Sequence, residues 1–117
     1  MASLKINDDI EVLYMGAKRF DNYLNKHDRE SFCKDQNNIK GAIQIFKILG
    51  EISIKTPPKD RLENSNVPWD YLMEIGKSIE AGQVPEPEVL WTMMEEVAPK
   101  ILKALAILIP SEDRSFI

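Results

Sequence analysis

The sequence predicts an all-α fold, an antiparallel up-and-down bundle of four main helices with room for a short fifth. Apolar residues recur at helical spacing over long stretches, no stretch alternates as a strand does, and proline-containing polar segments separate the periodic stretches. The chain has 117 residues, the length of one domain, and 44% of them are hydrophobic, which is enough for a core. We therefore expect residues 1–117 to form a single helical domain.

The first helix is predicted over about residues 8–26. Asn7 or Asp8 can cap it, and Glu11, three residues after Asp8, can complete a capping box. The apolar positions follow one another at intervals of three and four, which is typical of a helix packed lengthwise on another helix. They are Ile10, Leu13, Ala17, Phe20 and Leu24.

The second helix is predicted over about residues 36–54, after a polar break at residues 27–30. Asp35 is a suitable cap for it. Apolar residues keep helical spacing along this stretch, at Ile39, Ala42, Ile43, Phe46, Leu49 and Ile52. The segment 56–66 holds two prolines and several turn-forming polar residues, so it predicts a loop.

Two further helices are predicted over about 68–81 and 86–109, each with a proline near its start. Pro99 removes one backbone hydrogen bond within the last helix and predicts a kink. This helix is apolar on two faces and therefore needs two partners. The bundle supplies one, and we expect a second copy of the chain to supply the other. The predicted homodimer interface is Met93, Met94, Leu102 and Leu105.

Charge and cysteine content narrow the class of function. Fifteen basic against nineteen acidic residues give a net charge of -4, the wrong sign for a protein held on DNA by charge. The single cysteine, Cys33, cannot form an internal disulfide, which favours the reducing cytoplasm. No apolar stretch has the length of a signal peptide or a membrane span. We therefore expect a cytoplasmic protein without a DNA or membrane partner.

The residues themselves predict no catalytic, cofactor or metal site. The five glycines are isolated, so no phosphate-binding loop is present and no cofactor is expected. His27 is expected to be exposed and Cys33 to be buried as a small hydrophobic residue, without a cluster of metal ligands around either. The adjacent carboxylates Glu95 and Glu96 point to different sides of a helix and are expected to be solvated.

Three segments, in this order and spacing, resemble the HepT-like proteins of the HEPN superfamily, which are helical proteins of prokaryotes. They are the apolar stretch Gly41 to Glu51, the helix entry Val67-Pro68-Trp69, and the last helix with Glu88 to Trp91 and Glu95 to Pro99. The family is best known as the toxin half of toxin–antitoxin pairs. The resemblance implies a helical bundle that dimerises, with a metal-independent ribonuclease site formed by an Arg and a His near the end of the third helix.

The resemblance also implies that this ribonuclease motif is degenerate here. Counting forward from Trp69, the Arg and His positions hold Gly76 and Ala81; counting back from Trp91, they hold Ile75 and Glu80. The tyrosine that partner nucleotidyltransferases adenylylate in some members falls near Gln83 and is also replaced. Neither Gly76 with Ala81 nor Ile75 with Glu80 supplies a cation that binds an anion and an imidazole that transfers a proton.

We therefore expect a non-catalytic homodimer that pairs with a nucleotidyltransferase-type protein. One alternative is a divergent metal-independent ribonuclease in which Lys77 binds phosphate and Glu80 acts as a base. Another is the helical substrate-binding subunit of a two-chain nucleotidyltransferase. The sequence does not decide whether RNA is a partner. If only the two catalytic side chains were lost, Gly76→Arg with Ala81→His is expected to restore RNA cleavage.

Overall fold

The computed structural model describes residues 8–106, where it contains six α-helices and no strand. The helices are α1 (Asp8–Lys26), α2 (Arg29–Cys33), α3 (Gln36–Lys55), α4 (Pro58–Glu63), α5 (Trp69–Glu80) and α6 (Pro87–Leu105). The predicted all-α class is confirmed. The four longer helices begin within a residue or two of their predicted starts. The predicted end of the last helix at residue 109 lies outside the described residues.

Two short helices replace segments that were predicted to be irregular. The polar break at residues 27–30 contains the start of α2, because Asp28 caps it: the Asp28 carboxylate accepts the Ser31 backbone N–H at 2.8 Å, and the Asp28 N–H donates to Ser31 Oγ at 3.2 Å. The predicted loop at 56–66 contains α4, because Pro58 occupies the first turn, where a proline fits a helix.

The helices pack around one hydrophobic core, with the most extensive contacts between α3 and α5 and between α1 and α6. The Lys55–Asp9 ion pair (Nζ to Oδ1, 3.9 Å) joins the end of α3 to the start of α1. The Tyr71 hydroxyl donates to Glu96 Oε1 at 3.3 Å and joins α5 to α6. Inside the core, the Phe20 and Phe46 rings lie 4.5 Å apart between centroids and connect α1 to α3.

The predicted dimer interface on α6 is wrong in its premise of an exposed apolar face. Met93, Met94 and Leu105 are buried within the chain, and Leu102 is half-buried against the core. One face of α6 packs along α1, and α2 and α3 contact it elsewhere. The Phe32 ring of α2 lies 5.4 Å from the Trp91 ring, so the unpredicted helix packs against α6 within the chain.

Candidate functional site

The backbones of α3 and α5 touch at Gly50 and Gly76, both of which are buried. A Cβ atom on Gly50 would lie 2.7 Å from Gly76 Cα and 2.9 Å from the Leu72 carbonyl oxygen. A Cβ atom on Gly76 would lie 2.9 Å from Gly50 Cα. Gly76 therefore has a packing role, and an arginine at this position requires α3 and α5 to separate.

A surface cavity of about 330 Å³ lies beside this crossing. It brings together four residues that the sequence singled out, namely Gly76, Ala81, Lys77 and Glu80. From α3 it adds Lys47, Gly50, Glu51 and Ile54, which sequence reasoning missed. The only available signal was Gly50, because Lys47 and Ile54 lie about one turn from it on either side and Glu51 follows it directly. We call this space the α3/α5 cavity.

Among the described residues, the α3/α5 cavity is lined by two lysines and two glutamates, so its formal charges balance. Lys47 Nζ lies 3.7 Å from Glu80 Oε2, and both side chains are well exposed to solvent. The candidate base Glu80 is thus paired with an ammonium group, whereas Lys77 makes no ion pair with the described residues. The lining side chains include ammonium groups that attract an anion. They include neither an imidazole nor a guanidinium group.

In the register counted back from Trp91, the two positions of the degenerate motif, Ile75 and Glu80, lie in separate cavities. Ile75 and Gln83 line a groove of about 430 Å³ between α5 and α6, whereas Glu80 lines the α3/α5 cavity. Side chains at 75 and 80 therefore do not face a shared space. Only Gly76 and Ala81 do, and Gly76 has no room for a longer side chain.

His27 is half-buried, contrary to the predicted exposure, and both of its ring nitrogens have partners. The Asn38 side-chain amide donates to Asp35 Oδ2 at 3.0 Å, and the same nitrogen lies 2.8 Å from His27 Nε2. Nε2 therefore accepts a hydrogen bond, and Nδ1 carries the proton that it donates to Ser31 Oγ at 3.0 Å. This arrangement ties together the end of α1, α2 and the start of α3.

Arg29 fastens α2 to α6. Its Nη1 donates to the Glu88 carbonyl oxygen at 2.9 Å and to Thr92 Oγ1 at 3.1 Å, and Nη2 lies 3.7 Å from Glu95 Oε1. Glu95, which was expected to be solvated, is about half exposed and pairs with this guanidinium. Nearby, Cys33 is half-buried; its burial raises the pKa of the thiol, and the Glu88 carboxylate adds to that shift.

Two apolar grooves are open to solvent and share no helix. The α1/α3 groove, of about 270 Å³, contains Val12 and Met15, which are 39% and 67% exposed. The α5/α6 groove contains Val84 and Val89, each about half exposed. Tyr71 also lines the α5/α6 groove, and its burial, followed by the Glu96 charge and hydrogen bond, raises the pKa of its hydroxyl.

Within residues 8–106 no group of three or more His, Cys, Asp or Glu side chains is placed to hold a metal ion. In that same part of the chain, none of the helices combines the length and the apolar character needed to cross a membrane. The chain matches no protein-family model, no curated protein and no solved structure. Its function is therefore inferred from its own side chains.

Proposed function

We propose that the chain is a non-catalytic, homodimeric binding protein of the HepT-like type, a cytoplasmic member of a toxin–antitoxin-like pair with a nucleotidyltransferase-type protein as its partner. The proposal includes a four-helix, HEPN-like up-and-down bundle as the finer description of the fold. The observation that carries the binding role is the presence of two solvent-open apolar grooves on separate helix pairs. Two such grooves provide one surface for a second copy and another for a different protein.

The α1/α3 groove is the proposed homodimer surface in place of the buried α6 residues. Val12 and Met15 lie one turn apart on α1, and Ile45 and Ile48 lie one turn apart on α3. Together they form an apolar strip, and among the described residues Arg19 is the only charged one that lines the groove. A two-fold axis through such a strip buries the same apolar side chains from both copies and brings few charges together.

The packing of Gly76 supports a non-catalytic role for the α3/α5 cavity. A catalytic arginine at this position would need the space that the Gly50 backbone occupies. The alternative of a divergent ribonuclease rests on a different observation, since Lys77 and Glu80 line one cavity with Lys47. In that alternative the lysines bind a phosphate and Glu80 takes the proton. The substrate-binding subunit of a two-chain nucleotidyltransferase has no separate observation in its favour.

Light scattering of the purified chain tests the homodimer. We expect about twice 13.4 kDa at micromolar concentration, because each copy leaves an apolar strip exposed. Met15→Asp should give a monomer with an unchanged circular dichroism spectrum. Val89→Asp, on the α5/α6 groove, is the matched control and should stay dimeric. A monomeric unmodified chain, or a dimeric Met15→Asp variant, would contradict this assignment.

Co-expression with a small nucleotidyltransferase encoded beside the gene tests the pairing. We expect the two proteins to elute as one complex, and separate elution of two folded proteins at micromolar concentration would count against the pairing.

A ribonuclease assay separates the binding proposal from the ribonuclease alternative. No cleavage is expected from the purified chain. Cleavage that disappears with Lys77→Ala and with Glu80→Ala would replace the binding proposal with the ribonuclease alternative.

A further inference from the structure

A separate cavity of about 540 Å³ lies between α4 and the first turn of α5. Its volume is in the range of sites that hold small organic molecules. The walls are mainly apolar and include Leu62, Val67, Pro68 and Trp69. The Trp69 indole is held in place because its Nε1–H donates to the Asn64 carbonyl oxygen at 3.0 Å. We call this space the α4/α5 cavity.

Among the described residues, Arg61 is the one basic residue that lines the α4/α5 cavity. It is half-buried, and its guanidinium makes a single hydrogen-bond contact with those residues, from Nη1 to Met73 Sδ at 3.0 Å. A thioether is a weak acceptor, and a guanidinium carries five N–H donors, so most of these donors have no acceptor among residues 8–106. By contrast, Arg29 reaches three oxygen acceptors.

Asp70 also lines the α4/α5 cavity but makes no ion pair with Arg61. Its carboxylate lies in the first turn of α5, where the helix dipole favours a negative charge. Within the described residues, Arg61 therefore remains a cation at this cavity that no carboxylate contacts in an ion pair. Leu62, which lines the same cavity, is 78% exposed and gains a contact surface only if something occupies the space.

We propose that the α4/α5 cavity binds a small organic anion, a carboxylate or phosphate group carried on an aromatic or other apolar body. Arg61 binds the anionic group through its planar set of N–H donors, which matches two oxygens at once. Leu62, Val67 and Pro68 cover the apolar body. A nucleic-acid backbone fits less well, because it calls for several cations and this cavity offers one.

Nuclear magnetic resonance titration of the full chain tests this proposal, with the side-chain N–H signals of Arg61 and Trp69 as probes. The titrants are phenylacetate and phenyl phosphate at millimolar concentration and constant ionic strength. We expect at least one of them to shift both signals to saturation, and the tighter of the two identifies the anion. Benzyl alcohol and inorganic phosphate, which each lack one half of the ligand, should bind about tenfold more weakly or not at all.

Variants test whether Arg61 is responsible for the binding. Arg61→Gln should weaken binding of the aromatic anion by about tenfold or more, and Arg61→Lys should also weaken it because an ammonium lacks the planar donor set. Lys40→Gln, which removes an exposed cation of α3 away from the α4/α5 cavity, is the matched control and should bind as the unmodified chain does. Folding of each variant is checked by the dispersion of its backbone amide signals.

Two results would overturn the proposal. One is the absence of saturable shifts at Arg61 and Trp69 with both aromatic anions in the folded chain. The other is binding that a folded Arg61→Gln variant retains in full. Neither result bears on the homodimer, because the α4/α5 cavity shares no residue with the α1/α3 groove. The cavity shares Tyr71 with the α5/α6 groove, but Arg61 and Trp69 do not line that groove, so binding at Arg61 and co-elution with a partner protein are separate readouts.

Discussion

The contact between Gly50 and Gly76 predicts that alanine at either position destabilises the fold, although alanine is the better helix former. An alanine Cβ at 50 would lie 2.7 Å from Gly76 Cα and 3.2 Å from the Gly76 nitrogen. Carbon atoms in ordinary contact lie about 3.5–4.0 Å apart, so the two helices must separate by about 1 Å. The opposing atoms belong to the backbone and cannot turn aside as a side chain does.

The net cost follows from two opposing effects. Overpacking of a filled interior costs about 3 kcal/mol at the upper end of its usual range, which applies here because the obstacle is rigid. Alanine recovers about 1 kcal/mol over glycine within a helix. We therefore expect Gly50→Ala to lower the free energy of unfolding by about 2 kcal/mol. In a chain that already carries Gly50→Ala, Gly76→Ala should lower the free energy of unfolding by less than it does alone, because the first substitution has already separated the helices.

Urea denaturation followed by far-ultraviolet circular dichroism measures this change, provided that the denaturant slope stays the same. Gly41→Ala is the matched control. Its Cβ would meet the Tyr23 hydroxyl at 2.7 Å, the movable end of a half-buried side chain, so we expect little loss or a small gain in stability. A Gly50→Ala variant as stable as the unmodified chain would refute the rigid contact between α3 and α5.

Three further predictions concern α2 and its surroundings. Phe32→Ala should lower the free energy of unfolding by about 3–4 kcal/mol in the same urea assay, because the ring is fully buried between Tyr23 and Trp91; a loss of under about 1 kcal/mol would contradict this packing. The hydrogen bond from the Ser31 backbone N–H lowers the pKa of the Asp28 carboxyl from its ordinary value. The ionised carboxylate therefore stabilises the fold above that ordinary value, and this stabilisation is lost as the pH falls through the lower pKa of the folded state. Thermal unfolding of Asp28→Asn, which keeps a cap without the charge, should depend less on pH in this range, and unchanged dependence would exclude the effect. Because burial raises the pKa of the Cys33 thiol, the folded chain should be alkylated more slowly at neutral pH than the urea-unfolded chain, and equal rates would argue against it.

Hydrophobic periodicity was sufficient to predict the longer helices, and α1 has the predicted bounds, Asp8–Lys26. It failed for α2 and α4, which have five and six residues. A helix of less than two turns shows no repeat of its apolar positions, so only its cap can reveal it. The cap of α2 is an Asp and Ser pair, whereas the usual capping box pairs Ser or Thr with Glu or Gln.

The candidate site was predictable only along α5. Gly76 and Glu80 are four positions apart, as are Lys77 and Ala81, so helix geometry places the members of each pair on one side at the end of α5. Lys47 and Glu51 could not be assigned to it, because their place depends on the register between α3 and α5. That register brings Gly50 onto Gly76 across a tertiary contact, and no local pattern encodes it.

An apolar helix face indicates a partner protein only after the packing within the chain has been accounted for. On α6 three of the four residues predicted to meet a second copy, Met93, Met94 and Leu105, are buried within the chain. Helix α2 adds to the packing of α6, because Phe32 lies against Trp91 and Arg29 binds the Glu88 carbonyl and Thr92. Val12 and Met15 stand differently, since they remain exposed after the described helices have packed. Their exposure, rather than the apolar content of α6, is therefore the physical reason to expect a second copy at α1 and α3.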